Sequence, residues 1–112
     1  MRSKIHSYLG FSKRSRNLLS GYNSCFYGME RGKVKLLLLA SDLAENTAKK
    51  CSKTASAHEI PLRVYGTIQM LSNMAGEPNR GVYGITDEQL AKVVMEQIDK
   101  EQAGIAMETE KE

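Results

Sequence analysis

The run Val34-Lys35-Leu36-Leu37-Leu38-Leu39-Ala40 constrains the fold of this chain more than any other segment. A strand with one wet face alternates apolar and polar residues. A nearly unbroken apolar run of this length belongs instead at the centre of a sheet covered on both sides. The longest apolar stretch is five residues, far short of the roughly 20 that a membrane-spanning helix needs, so no membrane partner is expected. Helices above and below that strand must come from the rest of the chain.

The flanking sequence offers them. Ile5, Tyr8 and Leu9 share one helical face, which Gly10 ends, and a basic stretch, Lys13-Arg14-Ser15-Arg16, follows. Gly21-Tyr22-Asn23 reads as a turn in which the Asn23 side chain caps a helix running to about Arg31 and closed by Gly32. Asp42-Leu43-Ala44-Glu45 reads as a capping box opening a helix with Ala44, Ala48, Cys51 and Ala55 on its inner face. Pro61 precedes a short strand over residues 62–65, and Gly66-Thr67 caps a helix with Ile68, Leu71 and Ala75 inward, stopped by Gly76. A loop, Glu77-Pro78-Asn79-Arg80-Gly81, leads to a strand over 82–85. Thr86 and Gln89 then cap a last helix carrying Leu90, Val93, Val94 and Ile98. Alternating strands and helices predict an α/β domain with a partly parallel sheet and helices on both faces. The domain is expected to span residues 1–99. Residues 100–112, acidic and poor in apolar side chains, are expected to form a solvated, disordered tail.

Several function classes lack their residues. Cys25 and Cys51 show no CxxC spacing, and His6 and His58 stand alone, so the expectation is no metal, no cofactor and two free thiols in a reducing cytoplasm. The first residues, Met1-Arg2-Ser3-Lys4-Ile5-His6-Ser7, lack the apolar core of a secretory signal. The glycines at 21, 28 and 32 fit no phosphate-loop pattern. Asp42 and Glu45 are accounted for by capping, and no serine has a recognisable partner base. The chain reads as non-enzymatic.

Charge points to a partner. Residues 1–80 hold 13 Lys and Arg against 5 Asp and Glu, whereas residues 81–112 hold 3 against 8. A body this basic favours a polyanion. Its cations gather at loops and helix starts: Lys13, Arg14 and Arg16, then Gly21 and Asn23 opening a helix, Arg31 two turns on, and Arg80 in a turn. Arginines and helix N-termini bind phosphate and an asparagine reads a base edge, a combination that suggests structured RNA. Tyr22 and Tyr27 either add stacking surface or are half-buried core.

These residues also carry a resemblance. Leu9-Gly10-Phe11, Arg14, Leu18-Leu19-Ser20-Gly21, the block from Arg31-Gly32-Lys33 through Ala40, Asp42, Glu45-Asn46-Thr47, Pro61 and Val82-Tyr83-Gly84-Ile85-Thr86-Asp87 resemble the bacterial YlxQ branch of the kink-turn-binding ribosomal-protein family of L-seven-Ae and L-thirty-e type. The likeness runs from residue 3 to about residue 98. It implies a three-layer α/β/α sandwich around a four-stranded mixed sheet, no enzymatic activity, and binding of structured RNA, rRNA or a kink-turn. A cytoplasmic monomer associated with ribosomes or RNA metabolism is the expected setting. The family's RNA-reading helix starts Gly-x-Asn-Glu-x-x-Lys. Gly21 and Asn23 match it, Ser24 stands for the Glu, Tyr27 stands for the Lys, and Arg31 matches a basic position further along. The family's apolar base-clasping loop falls on Glu77-Pro78-Asn79-Arg80, where Arg80 agrees with the YlxQ branch. The alternative is a protein-interaction module of the same fold without RNA recognition.

Overall fold

The computed structural model describes residues 4–111, with side chains as far as Ala103. The elements are α1 (Lys4–Arg14), β1 (Leu18–Ser20), α2 (Tyr22–Glu30), β2 (Leu36–Leu39), α3 (Glu45–Ala57), β3 (Leu62–Val64), α4 (Ile68–Ala75), β4 (Val82–Ile85) and α5 (Glu88–Lys111). The four strands lie in the order β1-β4-β2-β3, with β2 parallel to β3 and both other pairings antiparallel. This is the mixed sheet of an α/β/α sandwich.

The leucines of β2 explain the three layers. Because successive side chains of a strand point to opposite faces, Leu36 and Leu38 enter one core with Ile5 and Leu9 of α1, Leu71 and Ala75 of α4, and Val94 and Ile98 of α5. Leu37 and Leu39 enter the other with Cys25 and Met29 of α2 and Cys51 and Ala55 of α3. All four leucines are buried, and each contributes about 1.5–3 kcal/mol relative to exposure.

The structure departs from the sequence pattern at several starts and ends. Residues 18–20 form a strand that their own pattern does not mark, and α1 runs through Gly10, so Lys13 and Arg14 are its last turn rather than a separate basic stretch. The capping box at Asp42 does not form. α3 begins after Ala44 without a side-chain cap, and the Asp42 carboxylate accepts from Ile68 N at 2.8 Å, at the start of α4. Thr67 does cap α4, accepting from Met70 N at 3.1 Å. For α5 the cap is Asp87, which accepts from Leu90 N at 2.9 Å, not Thr86.

The boundary expected at residue 99 falls inside α5, whose backbone stays helical to Lys111. Arg63 of β3 holds Asp99 with bonds of 2.9 and 3.2 Å, the Tyr65 hydroxyl donates to Glu101 at 2.8 Å, and Gln102 donates to Val64 O at 3.1 Å. The Arg63 hydrogen bond holds the Asp99 carboxyl below the usual carboxylate range. These bonds tie residues 99–102 of α5, which otherwise packs on the sheet face, to the outer edge of β3, where Arg63 also covers the Leu62 carbonyl and Gln102 that of Val64, blunting the edge against further pairing. A helix anchored in this way propagates through good helix formers such as Glu, Gln and Ala without a new nucleus. Of the tail expected to be disordered over residues 100–112, the side chains beyond Ala103 lie outside the described residues.

Candidate nucleic-acid interface

Three helices start at one end of the sheet. Gly21 N donates to Val82 O, Ala40 N to Gly81 O and Ser41 N to Gly66 O, at 2.8, 2.9 and 2.7 Å, so the exits of β1, β2 and β3 meet the entry of β4 there. Helices α2, α3 and α4 leave from those exits and aim their positive N-terminal ends the same way. Glu45 offsets the first turn of α3, and Asp42 with Thr67 occupies that of α4. The first turn of α2 has neither an acidic residue nor a side-chain cap. The backbone amides of Tyr22, Asn23 and Ser24 therefore have no acceptor within the helix and present their donors outward.

Gly21 makes this opening. Its φ of 92° and ψ of 156° fall where residues with a side chain are strained. A Cβ placed on it would stand 2.9 Å from a guanidinium nitrogen of Arg80, so the arginine lies directly against the Gly21 backbone. The Arg80 backbone is pinned in turn. Ser72 Oγ accepts from Arg80 N at 2.9 Å and donates to Arg80 O at 3.1 Å, and the Tyr83 hydroxyl donates to the same carbonyl at 2.9 Å. Ser72 and Tyr83 are both buried. Neither carries a binding motif, and the one sign of Ser72 in the sequence is a hydroxyl beside the inward face of α4. We expect Gly21→Ala to lower stability by about 1–3 kcal/mol through backbone strain and to dislodge Arg80. Urea denaturation measures the first effect.

The exposed face of α2 continues the site. Asn23, Ser24, Tyr27 and Arg31 are all exposed, and Asn23, Tyr27 and Arg31 follow one another at intervals of four residues over about 12 Å. Asn23 is not the helix cap expected of it. It lies inside α2, Gly21 holds the cap position, and no side chain bonds the first-turn amides. Its amide is consequently free of a capping duty.

The other basic candidates are placed differently. Lys13 bonds the carbonyl of Gly76 and pairs with Glu77 at 3.3 Å, which ties α1 to the C-terminus of α4. Arg14 folds back over Gly10 of its own helix. Arg16, at φ 63°, precedes β1 while Gly21 follows it, a separation of up to roughly 16 Å along an extended strand. The structure thus brings together Gly21, Asn23, Ser24, Tyr27, Arg31 and Arg80, and sets Lys13, Arg14 and Arg16 to one side. At the opposite end of the sheet a cleft of about 620 Å³ has Met29, Val34 and Ile60 in its lining, with Lys35 and Lys92 offset by Glu59 and Glu88. The cysteines offer no chemistry at either end. Both are free and buried, and burial, aided by Cys51, pushes the Cys25 thiol up to about 12.

This geometry has relatives. A protein from Enterococcus faecium described as RNA-binding protein YlxQ is 31% identical over 98 residues, which is 88% of this chain and 94% of that protein. Its namesake from Bacillus subtilis is 28% identical over 91 residues, 81% of this chain and 91% of the relative. The solved structure of a Bacillus halodurans protein of unknown function superposes with a TM-score of 0.84 at 33% identity, covering 88% of this chain and 99% of the other. A Giardia lamblia 15.5 kD RNA-binding protein shares the fold, with a TM-score of 0.71 at 18% identity over 92% of each chain. Residues 3–95 match the ribosomal protein L7Ae/L30e/S12e/Gadd45 family, and the chain belongs to it.

Proposed function

We propose that this protein is a non-enzymatic, cytoplasmic RNA-binding protein of ribosomal-protein type that acts as a monomer on structured RNA, either rRNA or a kink-turn-like element. The observation that carries this reading is the Arg80 guanidinium seated against Gly21, beside a first turn of α2 with no acidic residue and no cap. A phosphate placed there accepts from the α2 amides and from the planar fork of Arg80 together. Asn23 then faces a base edge as both donor and acceptor, and Arg31 meets the backbone further along. Arg14 and Arg16 add long-range attraction from the side, to which Lys13, paired with Glu77, contributes less. The descriptions of the two YlxQ relatives support the same reading.

Such binding releases counterions. With about four phosphate contacts, affinity for a structured rRNA fragment is expected to fall about a hundredfold between 50 and 200 mM salt. Arg80→Ala is expected to lower affinity across sequences alike and to reduce the salt slope by about one. A flat salt response contradicts the reading. The second reading, a protein-interaction module, draws on the exposed Tyr27 and predicts no RNA retention in the same titration.

A further inference from the structure

Helix α2 carries three of the chain's seven aromatic residues, Tyr22, Phe26 and Tyr27. Tyr22 is half-buried against the core of Cys25 and Met29. Its ring stacks on Phe26 with centroids 5.9 Å apart and planes 23° from parallel, and Phe26 meets Tyr27 edge-on at 6.2 Å and 75°. The three rings form a chain that begins in the core and ends in solvent at Tyr27, which is 61% exposed.

A tyrosine that serves a helix only as core buries its ring and leaves the hydroxyl wet. Tyr27 stands mostly in solvent, and its ring meets the half-buried Phe26 edge-on. Among the described residues, the other exposed large apolar side chains, Phe11, Val64 and Met70, are all less exposed than Tyr27, and none of them is on α2. Tyr27 alone of these lies in the interface, with Asn23 one turn before it and Arg31 one turn after. A protein partner's apolar anchor calls for a pocket with an apolar surround. Here the surround is an amide on one side and a guanidinium on the other.

We infer that Tyr27 is a stacking platform for one unpaired nucleobase of the bound RNA, with Asn23 on the base edge and Arg31 on the adjoining phosphate. The inference rests on the RNA-binding reading above and names what that site selects: a structured RNA with an unstacked base, rather than a continuous duplex. A base offers a π-face to the ring, hydrogen-bonding groups at its rim and an attached anion, which are the three features this face complements. The edge contact with Phe26, which stacks in turn on Tyr22, restricts the Tyr27 ring, so less side-chain freedom is lost when a base arrives.

The test compares two RNA probes at one salt concentration: a stem with 2-aminopurine in a bulge, and an uninterrupted duplex of equal length. Tyr27→Ala is expected to weaken binding of the bulged stem about five- to hundredfold and to change duplex binding less than twofold. Tyr27→Phe, which keeps the ring, should retain both affinities. The 2-aminopurine fluorescence should be quenched by the unaltered protein and by Tyr27→Phe but not by Tyr27→Ala, with circular dichroism confirming that each variant is folded. Equal losses on the two probes, or no loss on the bulged stem, overturn the inference while leaving RNA binding intact. Failure of the unaltered protein to retain either probe overturns the RNA-binding reading and the inference with it.

Discussion

A standard kink-turn RNA is expected to bind the double variant Ser24→Glu, Tyr27→Lys more tightly than the unaltered protein, recovering part of a deficit of at least about a hundredfold. In the family pattern, an Asn, a Glu and a Lys meet the sheared G·A pairs, and this chain keeps only Asn23 of the three. Ser24 supplies a short hydroxyl and Tyr27 an aromatic ring. A hydrogen bond to a charged group contributes about 1.5–3 kcal/mol, so two such bonds amount to at least a hundredfold. Both positions are exposed on α2, and the new side chains reach outward without repacking the core. Their charges cancel in sum, but Ser24→Glu puts a carboxylate in the open first turn of α2, so a duplex control at the same salt should weaken rather than gain. The same double variant should lose affinity for a bulged stem, because Tyr27→Lys removes the stacking ring. Tight, kink-selective binding by the unaltered protein would contradict this account of α2.

The second large effect is on stability. Tyr83 is wholly buried on β4, pairs with Ser20 of β1 and Leu38 of β2, and packs in the core shared by α1, α4 and α5. Tyr83→Ala is expected to cost about 3–5 kcal/mol, a large fraction of the roughly 5–15 kcal/mol by which a domain is stable. Tyr83→Phe keeps the volume and loses the bond to the Arg80 carbonyl, for about 1 kcal/mol. Burial raises the Tyr83 phenol above its ordinary value, so the hydroxyl remains a donor at neutral pH. Urea denaturation of the two variants separates packing from the hydroxyl. Similar losses for both would contradict the role given to the ring.

The sequence shows the core more clearly than it shows the site. Leu36 to Leu39 point to a doubly covered strand because a short apolar run without alternation leaves no face for water. Helix ends at Gly32 and Gly76 are legible for a local reason: both glycines adopt positive φ, 71° and 68°, which ends a helix with no help from the rest of the chain. Helix starts are less legible, since a side-chain acceptor does not announce which helix it serves. Asp42 reaches a helix that begins 26 positions later, and Asn23 caps nothing. Strand β1 is hidden because its three half-buried residues are defined by pairing with β4 rather than by alternation.

The binding face divides in the same way. Asn23, Ser24, Tyr27 and Arg31 share a face by helical spacing, which is written in the sequence. The seat of Arg80 on Gly21 brings together residues 59 positions apart. It depends on the junction of β1 and β4 and on two buried hydroxyls, so only the folded chain displays it. Lys13 shows the converse: a cation in a basic cluster turns out to hold the end of α4 through Gly76 and Glu77.

The most direct test of the central claim is to titrate the isotope-labelled protein with a structured RNA and follow its backbone amide resonances by NMR. The account predicts the largest shifts at Gly21, Asn23, Ser24, Tyr27, Arg31 and Arg80, with His58, Ile60, Glu88 and Lys92 at the opposite end of the sheet unmoved. Shifts concentrated at that opposite end, or none at saturating RNA and low salt, would contradict it.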